Sequence, residues 1–184
     1  PVIRDVLALH GITNTEIAPL GVDTGIFRPG EGRRGSVILF VGRFTREKGL
    51  ETVLETFRIV SGRRPSRLII VGDGIQRPLV EELASGSQEI TYRSFMEQDE
   101  LAGIYREADV LLSAAPAETL GLTFLEALSS GIPVVGLSGS GLMDSFPREI
   151  AAAVSPGTPE NLAGAVEGFL DHPPDPAVCR RYAE

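Results

Sequence analysis

Short apolar runs rich in β-branched residues alternate along this chain with longer stretches of helical period, and few folds accommodate that alternation. The runs are Ser36–Val41, Arg67–Val71, Glu89–Tyr92, Asp109–Leu112, Pro133–Leu137 and Ala151–Ser155. Helical patterns are expected at about Gly49–Val60, Ile75–Ala84, Glu97–Glu107, Leu122–Ser130 and Pro159–Leu170. Repeated strand–helix alternation builds a parallel sheet covered on both faces. The runs are continuously apolar, as strands buried on two sides must be. Gly42, Gly72, Ser61-Gly62 and Gly131-Ile132-Pro133 punctuate the boundaries. The reading is one doubly wound, Rossmann-like α/β domain over residues 36–184, with its ligand at the carboxyl ends of the strands.

The first 35 residues fit this pattern less well. Val2–Leu9 has the period of a helix, Thr15–Ala18 that of a short strand, and Asp23–Arg34 reads as an irregular Gly/Pro segment. Residues 1–35 are therefore expected to be an inter-domain linker and lead-in. Asp171–Pro176 is a turn-rich stretch, and a final helix is expected near Ala177. The chain opens on Pro1 rather than Met, so it is expected to be a fragment or to have lost its start.

Bulk properties exclude several classes. The formal net charge of -8 argues against a nucleic-acid partner and against anchoring to anionic lipid through basic residues. No apolar run approaches the roughly 20 residues of a membrane span. Cys179 is the one cysteine, so no intrachain disulfide or Cys-rich metal site can form. His10 and His172 are far apart and each lies beside a turn former, so both are read as ends of elements and no metal is expected. The lack of structural cysteines fits a reducing cytoplasm.

Three loops that follow expected strands carry residues with chemistry. The first, Val41-Gly42-Arg43-Phe44-Thr45-Arg46-Glu47-Lys48-Gly49, places a glycine at a strand end and two cations around the turn. Lys48 is the single lysine in a chain with 16 arginines, and an ammonium is a compact charge where a guanidinium is a planar fork. The plain alternative is a solvated basic loop in which Lys48 pairs with Glu47 or Glu51. The GxxxxGK[ST] phosphate loop is absent. The second loop, Gly72-Asp73-Gly74, permits close ligand approach, with Asp73 accepting from a hydroxyl; alternatively, Asp73 sits near a helix N-cap. The third runs from Pro116 to Glu126 and leads into a helix starting around Gly121–Thr123. A helix N-terminus offers unpaired amides and a positive dipole end to a phosphate. Glu118 precedes this terminus and Glu126 lies about one turn inside it, so the two carboxylates bracket it. Thr123 and Glu126, three apart, also fit a capping box; Glu118 has no helix of its own to cap.

These segments resemble glycosyltransferase family 4 (group 1), whose fold is the two-domain GT-B type. The matching stretches keep the family's order: GVDTGIFRP at Gly21–Pro29, VGRFTREKGL at Val41–Leu50, IIVGDG at Ile69–Gly74, LAGIYREADVLL at Leu101–Leu112, and ETLGLTFLEALSSGIPVVG at Glu118–Gly136. The resemblance implies the donor-binding half of a retaining enzyme that moves a hexose-type sugar from a nucleoside-diphosphate sugar and needs no metal or other cofactor. Carried onto this chain, Arg43 and Lys48 hold the diphosphate, and Glu118 meets donor-sugar hydroxyls. Glu126 binds the ribose, and the amides around Gly121, Leu122 and Thr123 receive phosphate or sugar oxygens. Gly42 lets the backbone approach the donor, and Ser94, Phe95 and Met96 lie beside the base. The partners implied are the donor and an N-terminal acceptor domain not contained in this sequence; without it the fragment is expected to be inactive. The parent chain is expected in the cytoplasm, with peripheral attachment to a membrane left open.

The chain departs from the family's pattern at Leu20, where Asn is common, and at Leu120, where an aromatic is common. It departs again at Ser140-Gly141-Leu142-Met143-Asp144, where the family has Gly-Gly-x-x-Glu. A non-catalytic nucleotide-binding module of the same fold stays open as an alternative. A nicotinamide-dependent oxidoreductase is disfavoured, because no GxGxxG follows the first strand.

Overall fold

The computed structural model describes residues 2–16, 21–32, 35–118, 121–140 and 142–184. The elements are α1 (Val2–Leu9), β1 (Val37–Val41), α2 (Leu50–Ser61), β2 (Arg67–Val71), α3 (Arg77–Gly86), β3 (Ile90–Arg93), α4 (Gln98–Glu107), β4 (Val110–Leu112), α5 (Leu122–Ser129), β5 (Val134–Leu137), β6 (Ala151–Val154), α6 (Pro159–Asp171) and α7 (Pro176–Arg181). The six strands form one all-parallel sheet in the order β3-β2-β1-β4-β5-β6. The direction of winding reverses between β1 and β4, where the loops diverge and leave a crevice at the strands' carboxyl ends.

The pleat of β1 shows how sequence becomes a two-faced core. Ile38 and Phe40 point to one side, where they join Phe44, Leu50, Val53, Phe57 and Leu162. Val37 and Leu39 point to the other, among Phe27, Ala102, Tyr105, Phe124 and Leu128. Successive strand side chains face opposite ways, so an unbroken apolar run supplies both layers. Full burial of each large apolar side chain contributes roughly 1.5–3 kcal/mol. Helices α2 and α6 pack together on the first face and α4 and α5 on the second. Asp109, read as a strand residue, instead lies just before β4. Its buried carboxylate accepts the backbone N–H of Val37 at 2.9 Å, which ties the start of β1 to β4.

Local signals set the helix starts. Thr158 caps α6 by accepting from Asn161 N at 3.3 Å, with Pro159 at the first helical position. Asp175 caps α7 in the same way through Ala177 N at 2.9 Å. Helix α3 begins at Arg77, later than the expected Ile75, and its N-cap is Gln76 rather than Asp73. Two earlier residues are held by the turn instead: Asp73 Oδ1 accepts from Gly74 N at 2.7 Å, and Gln76 N donates to Phe44 O at 3.1 Å. Thr15 and Glu16 do not form the start of a strand; Ile17 and Ala18 lie outside the described residues, as do Leu20, Leu120 and Gly141.

Two glycines hold the crevice's backbone in shape. Gly49 ends a 3₁₀ turn over Arg46–Lys48 at φ 67°, and a Cβ there would run into the carbonyl of Ala114, in the loop after β4. Gly72, at φ 142°, brings its backbone onto the carbonyl of Gly42. Both positions demand glycine because the conformation is left-handed or mirror-extended and the space is taken by backbone. At Gly72 the turn packs closely on the neighbouring loop after β1.

Candidate functional site

The loops after β1 and β4 meet at the switch point. The 3₁₀ turn and Gly49 carry Lys48 toward the β4 loop, and its ammonium donates to Glu118 Oε2 at 2.7 Å. The two residues are 70 positions apart in sequence, and their side chains are 22% and 14% exposed. Glu47 and Glu51 are thus not the partners of Lys48; Glu51 accepts from Gln76 Nε2 at 2.9 Å. Glu118 Oε1 also receives a long hydrogen bond, 3.4 Å, from the N–H of Gly121. That bond goes to the N-cap residue itself, so Glu118 touches the start of α5 without capping the helix.

Gly121 is the N-cap of α5, and Leu122 and Thr123 form its first turn. Among the described residues no side chain caps that terminus, so its first-turn amides and its dipole lie beside the Lys48–Glu118 pair. Thr123 and Glu126 do not make a capping box: Glu126 turns inward, and its Oε2 accepts from the Tyr105 hydroxyl at 2.7 Å. Burial raises the Glu126 carboxyl above its ordinary value, and the Tyr105 hydrogen bond offsets part of that rise. Burial, with the charge of Glu126 adding to it, holds the Tyr105 hydroxyl well above the usual tyrosine range, so it stays a donor.

Arg43 is exposed and forms no salt bridge among the described residues. With Gly42, Gly72, Phe95, Met96 and Leu101 it lines a cavity of about 300 Å³ with largely apolar walls. Phe95 is 78% exposed at its rim. Ser94 is exposed and does not line this cavity. The candidate residues fall into three adjoining groups: Arg43 with Gly42, Phe95 and Met96; Lys48 with Glu118 and the start of α5; and Glu126 with Tyr105.

The turn after β5 approaches the same terminus, since a Cβ on Gly121 would lie 3.3 Å from Leu142. Asp144 directs its carboxylate into that turn, accepting from Ser138 Oγ at 2.8 Å and from Gly139 N. Those two hydrogen bonds, Ser138's foremost, hold its pKa below the ordinary aspartate value. Among the described residues, no group of three His, Cys, Asp or Glu is placed to hold a metal ion. Nor is any described helix long and apolar enough to cross a membrane.

Sequence reading missed Tyr105. A buried tyrosine on an apolar helix stripe requires a hydroxyl partner, and Ala102 and Tyr105 mark that stripe on α4. The partner's identity, 21 residues away, is set only by how α4 packs on α5.

The chain is 30% identical over 177 residues to a GDP-mannose-dependent alpha-(1-6)-phosphatidylinositol dimannoside mannosyltransferase of Mycobacterium tuberculosis, which covers 89% of this chain and 45% of that protein. It spans less than half the length of this and another curated relative it matches. Among solved structures, the C-terminal domain of a glycosyl transferase group 1 family protein from Francisella tularensis superposes with a TM-score of 0.71. That match has 22% identity and covers 89% of this chain and 93% of that one. Anabaena HepE in complex with UDP superposes with a TM-score of 0.80 at 16% identity, over 98% of this chain and 56% of that one. These two likenesses show the shared GT-B domain fold. The family model for glycosyl transferases group 1 matches residues 35–172, and the chain belongs to that family.

Proposed function

We propose that this chain is the donor-binding domain of a retaining glycosyltransferase, taking a nucleoside-diphosphate sugar at the carboxyl ends of β1 and β4. The observation that carries this reading is the Lys48–Glu118 pair held against the N-terminus of α5. A cation, a carboxylate and free helix amides converge there. An ammonium has three donors, so Lys48 can keep Glu118 while giving a hydrogen bond to a phosphate oxygen. Arg43 supplies the second positive charge from the cavity side. Charge that builds on the departing nucleoside diphosphate is stabilised by Arg43, Lys48 and the amides of Gly121, Leu122 and Thr123. That help strengthens as the glycosidic bond breaks. Glu118 then accepts from sugar hydroxyls, Glu126 from the ribose, and the base takes the slot beside Phe95 and Met96, with Ser94 at its outer edge. We assign no metal to the site. When an acceptor-holding domain faces this one, the hexose-type sugar passes to an acceptor oxygen with retention at the anomeric carbon and the nucleoside diphosphate leaves; the greater length of the curated relatives supports such a domain.

Thermal melting of the chain with UDP-, GDP- and ADP-sugars tests the assignment. A ligand at a hundred times its dissociation constant stabilises the folded state by about 2.7 kcal/mol. One of the three is expected to raise the melting temperature, and the Arg43→Ala, Lys48→Ala double variant is expected to lose that rise. A rise that survives in the double variant contradicts the site.

A further inference from the structure

Tyr105 is fully buried on α4, and its ring meets Phe27 edge-on at 5.5 Å between centroids and 82° between planes. Phe27 is itself fixed, because its carbonyl accepts from Ser129 Oγ at 2.6 Å. The ring therefore has one position, and its hydroxyl reaches Glu126 Oε2 at 2.7 Å, with Thr123 O farther off at 3.4 Å. The other carboxylate oxygen, Glu126 Oε1, makes no hydrogen bond among the described residues. One oxygen is tied and one is open.

We propose that Tyr105 is the positioning residue of the nucleotide site, its hydroxyl fixing the Glu126 carboxylate so that Oε1 is held ready for the vicinal hydroxyls of a ribose. This rests on the donor-binding reading above. A carboxylate on a flexible side chain loses rotamer freedom when it binds. A neighbour that has already restricted it makes each ribose hydrogen bond more favourable, which is preorganisation. Tyr105 itself touches no ligand in this scheme; it acts through Glu126.

The test compares UDP, GDP and ADP with their 2′,3′-dideoxy counterparts, which cannot use Glu126, on the wild-type chain and on Tyr105→Phe. Phenylalanine keeps the ring against Phe27 and removes only the donor. The expected result is a loss of about five- to tenfold in affinity for the ribose forms, with dideoxy affinity unchanged. A role in folding alone would lower both equally. In a Glu126→Ala background, which leaves nothing for the hydroxyl to hold, adding Tyr105→Phe is expected to cost no further ribose affinity; a further ribose-specific loss there overturns the proposal. A wild-type preference for ribose that is undiminished in Tyr105→Phe overturns the Tyr105 assignment alone. Equal wild-type binding of ribose and dideoxy forms overturns the role of Glu126 and, with it, that of Tyr105. Binding of neither form overturns the donor site as a whole.

Discussion

Glu126 carries a cost that its neighbours only partly offset. Burial disfavours its charged form, and the Tyr105 hydroxyl is the one group that pulls the other way. The folded state therefore holds the Glu126 proton more tightly than the unfolded chain does. Between the ordinary glutamate value and the raised one, the native state binds more protons, so stability falls as pH rises through that window. The residue's contribution is most favourable below the ordinary value and has been lost above the raised one. Glu126→Gln removes the charge while leaving an oxygen to accept from Tyr105. It is expected to melt higher than wild type at neutral pH, with the advantage vanishing in acid below the ordinary glutamate value. Melting curves across pH check this, and an advantage independent of pH contradicts it. The proposed ribose site would thus trade stability for binding at this carboxylate.

At the scale of elements, α7 is a clasp as well as a final helix. Arg180 on α7 donates to the carbonyls of Thr24 at 3.0 Å, Phe27 at 3.3 Å and Ser129 at 3.4 Å. One guanidinium thus joins the lead-in segment, the end of α5 and the chain's last helix, using the several donors of its planar fork. Phe27 packs on Tyr105, so the clasp also braces the element that carries Glu126's partner. Arg180→Ala is expected to destabilise the fold by about 1–3 kcal/mol, read by urea unfolding. It is also expected to speed proteolytic cleavage within residues 21–32. Unchanged stability with an unchanged cleavage rate contradicts the clasp.

At the scale of the whole molecule, every group assigned to the donor lies at one end of one sheet. The reversal of strand order between β1 and β4 leaves a crevice at that end. Nothing in these 184 residues is assigned to hold the acceptor. Group transfer needs both reactants fixed together, an arrangement that supplies roughly 7–11 kcal/mol of the barrier lowering. The chain alone is therefore expected to bind a donor and give no detectable sugar transfer. The same chain joined to an acceptor-holding domain of a family member is expected to transfer with retention, read from the anomeric configuration of the product. Turnover by the isolated chain would overturn this division of labour.

The sequence by itself determined the alternation, and hence the parallel sheet and the end at which the candidate residues gather. An apolar run such as Val37–Val41 has one way to bury two faces, so strand identity is a local property. Arg43, Lys48, Glu118 and Glu126 were legible as candidates because each sits beside a strand end or a helix start. Only the tertiary structure decided their partners. Lys48 passed over its sequence neighbours for Glu118, Glu126 left the capping box for Tyr105, and Gly72 met the Gly42 carbonyl. Pairing across 70 or 21 residues depends on which loops the strand order makes adjacent, and no spacing along the chain encodes that.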